Sequence, residues 1–176
     1  MTKEGRKKLL YPFIFFIIIG LGLVLGDKQE EAKVGAVAPG FRLEGIAGER
    51  IDLKKISRQN QLTLVNFWAT WCPPCRAEIP ELNRVYRVYR AKGLEILAVN
   101  IWDDSTREQL RAFTNATGIE FPVLLDVDDS TATKYQIRAV PTTVFIDQKG
   151  RIREVYVGAL TYGQIQTRFE HYLANQ

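Results

Sequence analysis

Residues 62–79 form the stretch that decides the fold, LTLVNFWATWCPPCRAEI. It begins with a continuous apolar run, Leu62 to Trp68, of the kind that forms a buried central strand. Cys72 and Cys75 follow where a helical pattern begins, and apolar residues recur at three- and four-residue spacing to about Ala91. The stretch therefore predicts a strand, a short loop and a helix that starts at a Cys-x-x-Cys pair.

The place of the pair at a helix start favours redox chemistry. Free backbone N–H groups and the helix dipole favour an anion there, which lowers the pKa of a thiol, and the thiolate is the nucleophile. Pro73 suits the first helical turn because its missing N–H would have no intrahelical partner. Cys75 lies one turn further in. We therefore expect Cys72 to attack a partner disulfide and Cys75 to resolve the mixed disulfide.

Two structural interpretations of the cysteines compete with this one. A purely structural disulfide would close a loop of only four residues and give little entropic stabilisation. A zinc site needs four ligands, and His171 is the one other candidate beside the two cysteines of this chain. We expect no metal and no cofactor, and we expect His171 to lie on the surface of the last helix.

The remaining patterns alternate between strands and helices, which predicts an α/β domain with a mixed central sheet flanked by helices. Short alternating runs around Ala47 and Gly48 predict a β-hairpin extension over 41–53. Ser105 with Glu108 predicts a capping box at the start of a helix that ends near Thr117. The other predicted strands cover 94–101, 121–125, 142–146 and 152–157, and the other predicted helices cover 130–135 and 161–173.

Leu9 to Leu25 contains no charged residue over 17 positions, which is long enough for a single transmembrane helix. Arg6, Lys7 and Lys8 precede it, so the positive-inside rule leaves the N-terminus cytoplasmic and exports the remainder of the chain. A cleaved signal peptide is the alternative, although Val24-Leu25-Gly26 is a poor cleavage site. We expect a basic tip and signal anchor over 1–26, a tether over 27–37 and an extracytoplasmic domain over 38–176.

The net charge of +4 belongs mainly to this N-terminal region, since residues 1–26 account for +3 of it. The rest of the chain is nearly neutral and has no charge signature for nucleic acid. We therefore expect proteins and the membrane as partners, and no nucleic acid.

The segment Asn66 to Pro80, NFWATWCPPCRAEIP, resembles the extracytoplasmic thioredoxin-like family of TlpA, ResA and the cytochrome c maturation reductants. The likeness extends to APGF at 38–41, FPVL at 121–124 and VPTT at 140–143. It implies a thioredoxin-like fold and a thiol–disulfide oxidoreductase that reduces disulfides outside the cytoplasm. The haem-attachment cysteines of apocytochrome c are a frequent target in that family, and a membrane thiol carrier is the implied electron donor.

Several residues around the pair have expected supporting roles. The resemblance implies a cis peptide bond at Val140–Pro141 and a backbone edge at Val140 that pairs with an extended substrate. Glu78 lies three residues after Cys75 and is a candidate proton acceptor, and Asn66 cannot act as a base, which places more weight on Glu78. Trp71 is expected on the partner-facing surface.

Two further interpretations of nearby residues are less specific. Trp68 is expected in the core. The acidic run from Asp126 to Ser130 is expected to form a solvated loop and helix cap rather than a metal site.

Three other functions stay open at this point. A peroxidase of the peroxiredoxin type shares the fold, but Trp68 to Cys72 lacks the proline and threonine that frame a peroxidatic cysteine. A general envelope oxidant or exchanger would use the same cysteines in the other direction, which depends on the reduction potential. A non-enzymatic adaptor would hold partners by mixed disulfide or strand pairing, and replacing Cys72 with Ser would distinguish it from an enzyme.

Overall fold

The structure is a computed structural model that describes residues 32–174. The predicted membrane segment, Leu9 to Leu25, lies outside these residues. Within 32–174, no helix combines the length and the apolar character needed to cross a membrane.

Seven strands form one mixed sheet in the described part of the chain, with the order β2-β1-β5-β4-β3-β6-β7. The parallel centre consists of β3, β4 and β5, while β6–β7 and β1–β2 add antiparallel pairs at the two sides. The strands are β1 Arg42–Gly45, β2 Arg50–Asp52, β3 Leu62–Trp68, β4 Leu94–Asn100, β5 Val123–Leu125, β6 Thr142–Asp147 and β7 Ile152–Val157. The predicted thioredoxin-like α/β fold and the predicted hairpin are confirmed.

Five α-helices pack on the two faces of the sheet within the described residues, and a short 3-10 helix, Arg90–Lys92, precedes β4. The helices are α1 Leu53–Gln59, α2 Pro73–Tyr89, α3 Arg107–Thr117, α4 Ser130–Lys134 and α5 Tyr162–Ala174. Every residue of β3 is buried, as its apolar run predicts, because the sheet is covered on both faces.

The start of α3 differs from the prediction by one residue. Thr106, and not Ser105, is the N-cap, and its partner in the capping box is Gln109 rather than Glu108. The reason is local: the Ser105 N–H donates to the Asp103 carboxylate at 3.0 Å, so Ser105 belongs to the preceding turn.

The strand register gives the domain two distinct ends. Trp68 pairs with Asn100, and the neighbouring Phe67 pairs with Thr142, so these residues mark what we call the catalytic end. Leu62 pairs with both Leu94 and Asp147 and marks the opposite, basal end. Seven residues of β3 separate the two ends by about 20 Å, at a rise of about 3.3 Å per residue.

The chain enters the domain at the basal end. Gly35 donates its N–H to the Ile152 carbonyl at 2.8 Å, and Ala38 donates to the Gly150 carbonyl at 2.8 Å. Val37 forms an isolated antiparallel bridge with Arg151. The segment that leads back to residues 1–31 is therefore held against the β6–β7 turn.

Candidate active site

Cys72 and Cys75 form a disulfide at the catalytic end of the sheet. Cys72 is the N-cap of α2 and Pro73 is its first helical residue, as predicted. The Cys75 N–H donates to Cys72 Sγ at 3.2 Å. A backbone donor directed at this sulfur stabilises negative charge on it, since hydrogen bonds to an ionised group favour the ionised form.

Both cysteines are only 2% exposed in the disulfide form. Burial therefore does not distinguish the attacking sulfur from the resolving one. What distinguishes them is position, because Cys72 lies at the helix start and Cys75 lies one turn inside the helix.

The Val140–Pro141 peptide bond is cis, which confirms the expectation drawn from the resemblance. Pro141 directly precedes β6, and Thr142 at the start of that strand pairs with Phe67 of β3. Val140 and Cys72 are thus both close to strand ends at the catalytic end. The Pro141 carbonyl accepts the Gly158 N–H at 2.8 Å, which fixes the cis proline to the end of β7.

Glu78 is buried in α2, and both of its carboxylate oxygens accept hydrogen bonds. Asn66 Nδ2 donates to Oε1 at 2.9 Å, and the Leu160 N–H donates to Oε2 at 2.9 Å. Asn66 Nδ2 also contacts Thr143 Oγ1 at 3.0 Å. Burial raises the pKa of Glu78 to about 7, and these two hydrogen bonds oppose the rise only in part. The carboxyl group can therefore gain or lose a proton near neutral pH.

Trp71 is exposed over 58% of its surface immediately before Cys72, whereas Trp68 is buried in the core as predicted. The Trp71 indole N–H donates to the Trp102 carbonyl at 2.7 Å. Trp102 is itself 38% exposed and adopts a left-handed φ of 51°. Its N–H donates to the Asp129 carboxylate at 3.0 Å, so both of its backbone polar groups have partners.

Asp103 supports the loop that carries Trp71. Its carboxylate accepts the Thr70 N–H at 2.6 Å, Asn100 Nδ2 at 3.1 Å and the Ser105 N–H. Burial opposes ionisation of Asp103, but the hydrogen bonds from Ser105, Thr70 and Asn100 outweigh it and lower its pKa to about 2.

The sequence interpretation missed Trp102 and Asp103. A signal for them existed, because they follow β4 directly and the carboxyl ends of neighbouring parallel strands meet at one edge of the sheet. Leu160 was missed as well, and it had no such signal, since its contribution is a backbone N–H.

The acidic run after β5 is only partly what the sequence predicted. Asp126 is buried, and its two oxygens accept the N–H groups of Thr131 and Ala132 at 3.0 and 2.8 Å. It therefore caps α4. It does not lie in a solvated loop, because its hydrogen bonds to these two backbone amides hold it against the start of the helix, where it is buried. His171 is exposed on α5, as expected.

Comparison with known proteins places this site in a family context. Residues 34–155 match the AhpC/TSA family. The chain is 33% identical to the thiol-disulfide oxidoreductase ResA of Geobacillus kaustophilus over 174 residues, which cover 97% of this chain and 98% of that protein. It is 34% identical over 174 residues to the ResA of Halalkalibacterium halodurans, with 97% of each chain covered.

Solved structures show the same likeness. StoA from Bacillus subtilis superposes with a TM-score of 0.64 at 29% identity, covering 74% of this chain and 96% of StoA. A thiol:disulfide interchange protein from Chlorobium tepidum gives a TM-score of 0.70 at 23% identity, covering 80% of this chain and 98% of that one, and supports the thioredoxin fold alone.

Proposed function

Because the chain belongs to the AhpC/TSA family and is a ResA-like thiol–disulfide oxidoreductase with Cys72 and Cys75 as its redox pair, we propose that it reduces protein disulfides outside the cytoplasm. The client we propose is an extracytoplasmic protein with an exposed disulfide, such as the oxidised haem-attachment cysteines of apocytochrome c. The observation that carries the proposal is the disulfide at the start of α2, beside the cis Val140–Pro141 edge.

In the proposed reaction the enzyme begins as a dithiol. The Cys72 thiolate attacks one sulfur of the client disulfide, and the other client sulfur leaves as a thiolate. Cys75 then attacks Cys72, which releases the client as a dithiol and leaves the Cys72–Cys75 disulfide found in the structure. Two electrons pass to the client in each cycle, and a membrane thiol carrier restores the dithiol.

Glu78 is the proposed acceptor of the proton that Cys75 must lose before it attacks. The carboxylate lies three residues after Cys75 in α2 and titrates near neutral pH because it is buried. Asn66 is a positioning residue, since its amide holds Oε1 of Glu78 and cannot itself take a proton.

The proposed recognition of the client involves Val140 and Trp71. Val140 offers a backbone edge to an extended client segment next to the sulfur atoms. Trp71 offers a large exposed ring that is fixed at its N–H by the Trp102 carbonyl. Pro141 keeps this edge from folding into a continuous strand, because it has no backbone N–H to donate.

The proposed location rests on the sequence. Leu9 to Leu25 is proposed as a retained membrane anchor with the N-terminus in the cytoplasm, and residues 38–176 as the extracytoplasmic domain. Residues 27–37 connect the two.

The decisive experiment is the Cys75→Ser variant of the full chain, expressed in its own cell. This variant should accumulate mixed disulfides through Cys72, because the resolving thiol is missing. Trapped proteins are identified by mass spectrometry, and the Cys72→Ser variant is the matched control that should trap none. The proposal fails if no extracytoplasmic protein is captured, or if Cys72→Ser retains full activity, which would indicate an adaptor. Turnover of hydrogen peroxide at a rate above that of protein disulfides would indicate a peroxidase instead.

A further inference from the structure

A cavity lies at the basal end, far from the disulfide. Its volume is about 420 Å³, and its walls come from the entering segment 37–40, from α1 and from the β6–β7 turn. Three cations line it, Lys54, Arg58 and Lys149, and each of them is solvent-exposed. The side chain of Gln148 donates to the Arg58 carbonyl at 3.4 Å, which joins the turn to α1.

The positive charge of this cavity is not neutralised by neighbouring acids. No described carboxylate lines it, and none of its three cations takes part in an ion pair with another described residue. The nearby carboxylate of Asp147 accepts from the Arg151 N–H and from Arg153 Nε, both at short distance, so it is already occupied. The cavity is therefore suited to an anion from outside the domain.

The walls of the cavity include the segment by which the chain enters the domain. Val37 and Ala38 are lining residues, and the proposed anchor ends at Leu25. Eleven residues, 26–36, lie between them, and even when fully extended they reach at most about 40 Å. This connection therefore allows the cavity to reach the headgroup layer of the membrane that holds the anchor.

We propose that this basal cavity binds the headgroup of an anionic phospholipid in the membrane to which the chain is anchored. The inference rests on the anchor of the proposed function, but not on the redox reaction. Attraction between surface cations and an anionic leaflet acts within about a Debye length, roughly 8 Å at physiological ionic strength, so it requires the basal end to lie on the membrane.

Docking in this way fixes the orientation of the active site. The disulfide lies at the other end of β3, about 20 Å further from the membrane surface. Trp71 and the Val140 edge then face away from the lipid. Clients must therefore reach the docked site from the extramembrane side, and the basal end must leave the lipid before the membrane thiol carrier can reduce the disulfide.

The first test is lysine footprinting on the full chain reconstituted in vesicles. One set contains phosphatidylcholine alone, and the other also contains phosphatidylglycerol. Brief acetylation followed by mass spectrometry should label Lys54 and Lys149 about fivefold less on the anionic vesicles, the effect expected for one cation attracted to an anionic leaflet. Lys134, an exposed lysine of α4 that follows β5 at the catalytic end, is the internal control and should be labelled equally on both.

High salt should remove the protection, because it screens the attraction. Equal labelling of Lys54 and Lys149 on the two kinds of vesicle would overturn the proposal. Protection by inorganic phosphate on neutral vesicles would also overturn it, since that would indicate a site for soluble anions.

A second test uses the three tryptophans of the chain, Trp68, Trp71 and Trp102, which all lie at the catalytic end. Energy transfer from them to a dansyl-labelled lipid headgroup measures how closely this end approaches the membrane. The double variant Lys54→Gln/Lys149→Gln should increase the transfer on anionic vesicles, while Lys134→Gln should leave it unchanged. Transfer that is the same in all three proteins would contradict the proposal.

Failure of the proposed function would give a different result in the vesicle experiments from failure of this proposal. A chain that does not stay with either kind of vesicle lacks the anchor. The Cys72→Ser variant, which should lose disulfide exchange, should keep the same lipid-dependent protection.

Discussion

Trp71 is the residue that exposes the most aromatic surface beside the disulfide in the described part of the chain. Its indole N–H is held by the Trp102 carbonyl at 2.7 Å, so the ring is fixed although 58% of its surface is free. A rigid aromatic side chain loses little conformational entropy on binding, and such residues contribute strongly to protein recognition. Trp71 is therefore expected to contribute to client binding rather than to the exchange chemistry.

The variant Trp71→Ala should lower kcat/KM for a protein disulfide by about tenfold or more, as for loss of an aromatic interface residue. Reduction of a small synthetic disulfide should change little, because Cys72 and its hydrogen bond from the Cys75 N–H remain. Val88→Ala, which removes an exposed apolar side chain near the other end of α2, is the control. Parallel losses with both substrates would assign Trp71 to the chemistry instead.

Among the elements, α3 shows how a turn decides where a helix begins. The sequence offers two possible capping boxes, one residue apart. One pairs Ser105 with Glu108, and the other pairs Thr106 with Gln109. The Asp103 carboxylate takes the Ser105 N–H into the turn that follows β4, which leaves Thr106 as the cap. The same carboxylate holds the Thr70 N–H of the active-site loop, so the start of α3 and that loop are positioned together.

Thr106→Ala should reduce the free energy of unfolding by about 1 kcal/mol, the usual cost of removing an N-cap hydroxyl. Ser105→Ala should cost less, since the Ser105 hydroxyl caps no helix N–H and its contacts, 3.4 Å to Thr70 Oγ1 and a hydrogen bond to the Asp103 carboxylate, belong to the preceding turn. Urea denaturation of the two variants side by side measures the difference. The reverse order of stability would show that Ser105 is the cap.

At the scale of the whole molecule, Glu78 connects parts of the chain that are distant in sequence. It belongs to α2, it accepts from Asn66 in β3, and through Asn66 it is linked to Thr143 in β6. Its other oxygen accepts from Leu160, just before α5. A change in its protonation state therefore acts on the stability of the entire domain.

Stability should fall as pH rises through the window in which Glu78 ionises. Its pKa is about 7 in the folded protein, because of burial, against 4.5 for an ordinary glutamate, so the folded state binds more protons between these values. The contribution is present below pH about 4.5 and is lost by pH about 7, and it amounts to about 3 kcal/mol at 1.36 kcal/mol per pKa unit.

The measurement is chemical denaturation of the disulfide form at a series of pH values, for the native protein and for Glu78→Gln. The variant cannot ionise, so its stability should lack this fall. Asp128→Asn, which changes an exposed carboxylate in the acidic run, should keep it. A fall of equal size in native protein and Glu78→Gln would mean that another group is responsible.

Local sequence patterns were enough to predict the order of the strands, the position of the cysteines at a helix start and the burial of Trp68. They predicted four of the five α-helices of the described residues and missed α1, Leu53–Gln59. These features depend on hydrophobic periodicity and on the residues at an element's first turn, both of which can be read within a short segment. The cis Val140–Pro141 bond was predictable only through the resemblance, because spacing alone does not distinguish cis from trans proline.

The contacts between residues that are distant in sequence were decided by the tertiary structure. Leu160 reaches Glu78 across 82 positions of sequence, and the Trp102 carbonyl reaches the Trp71 indole across 31. The basal cavity likewise combines α1 with the β6–β7 turn. Such contacts depend on strand register and on how helices pack across the sheet, which bring together residues that no short pattern relates. The redox pair Cys72 and Cys75 is thus determined by one short segment, whereas the buried, hydrogen-bonded environment of Glu78 and the basal cavity are decided by the tertiary structure.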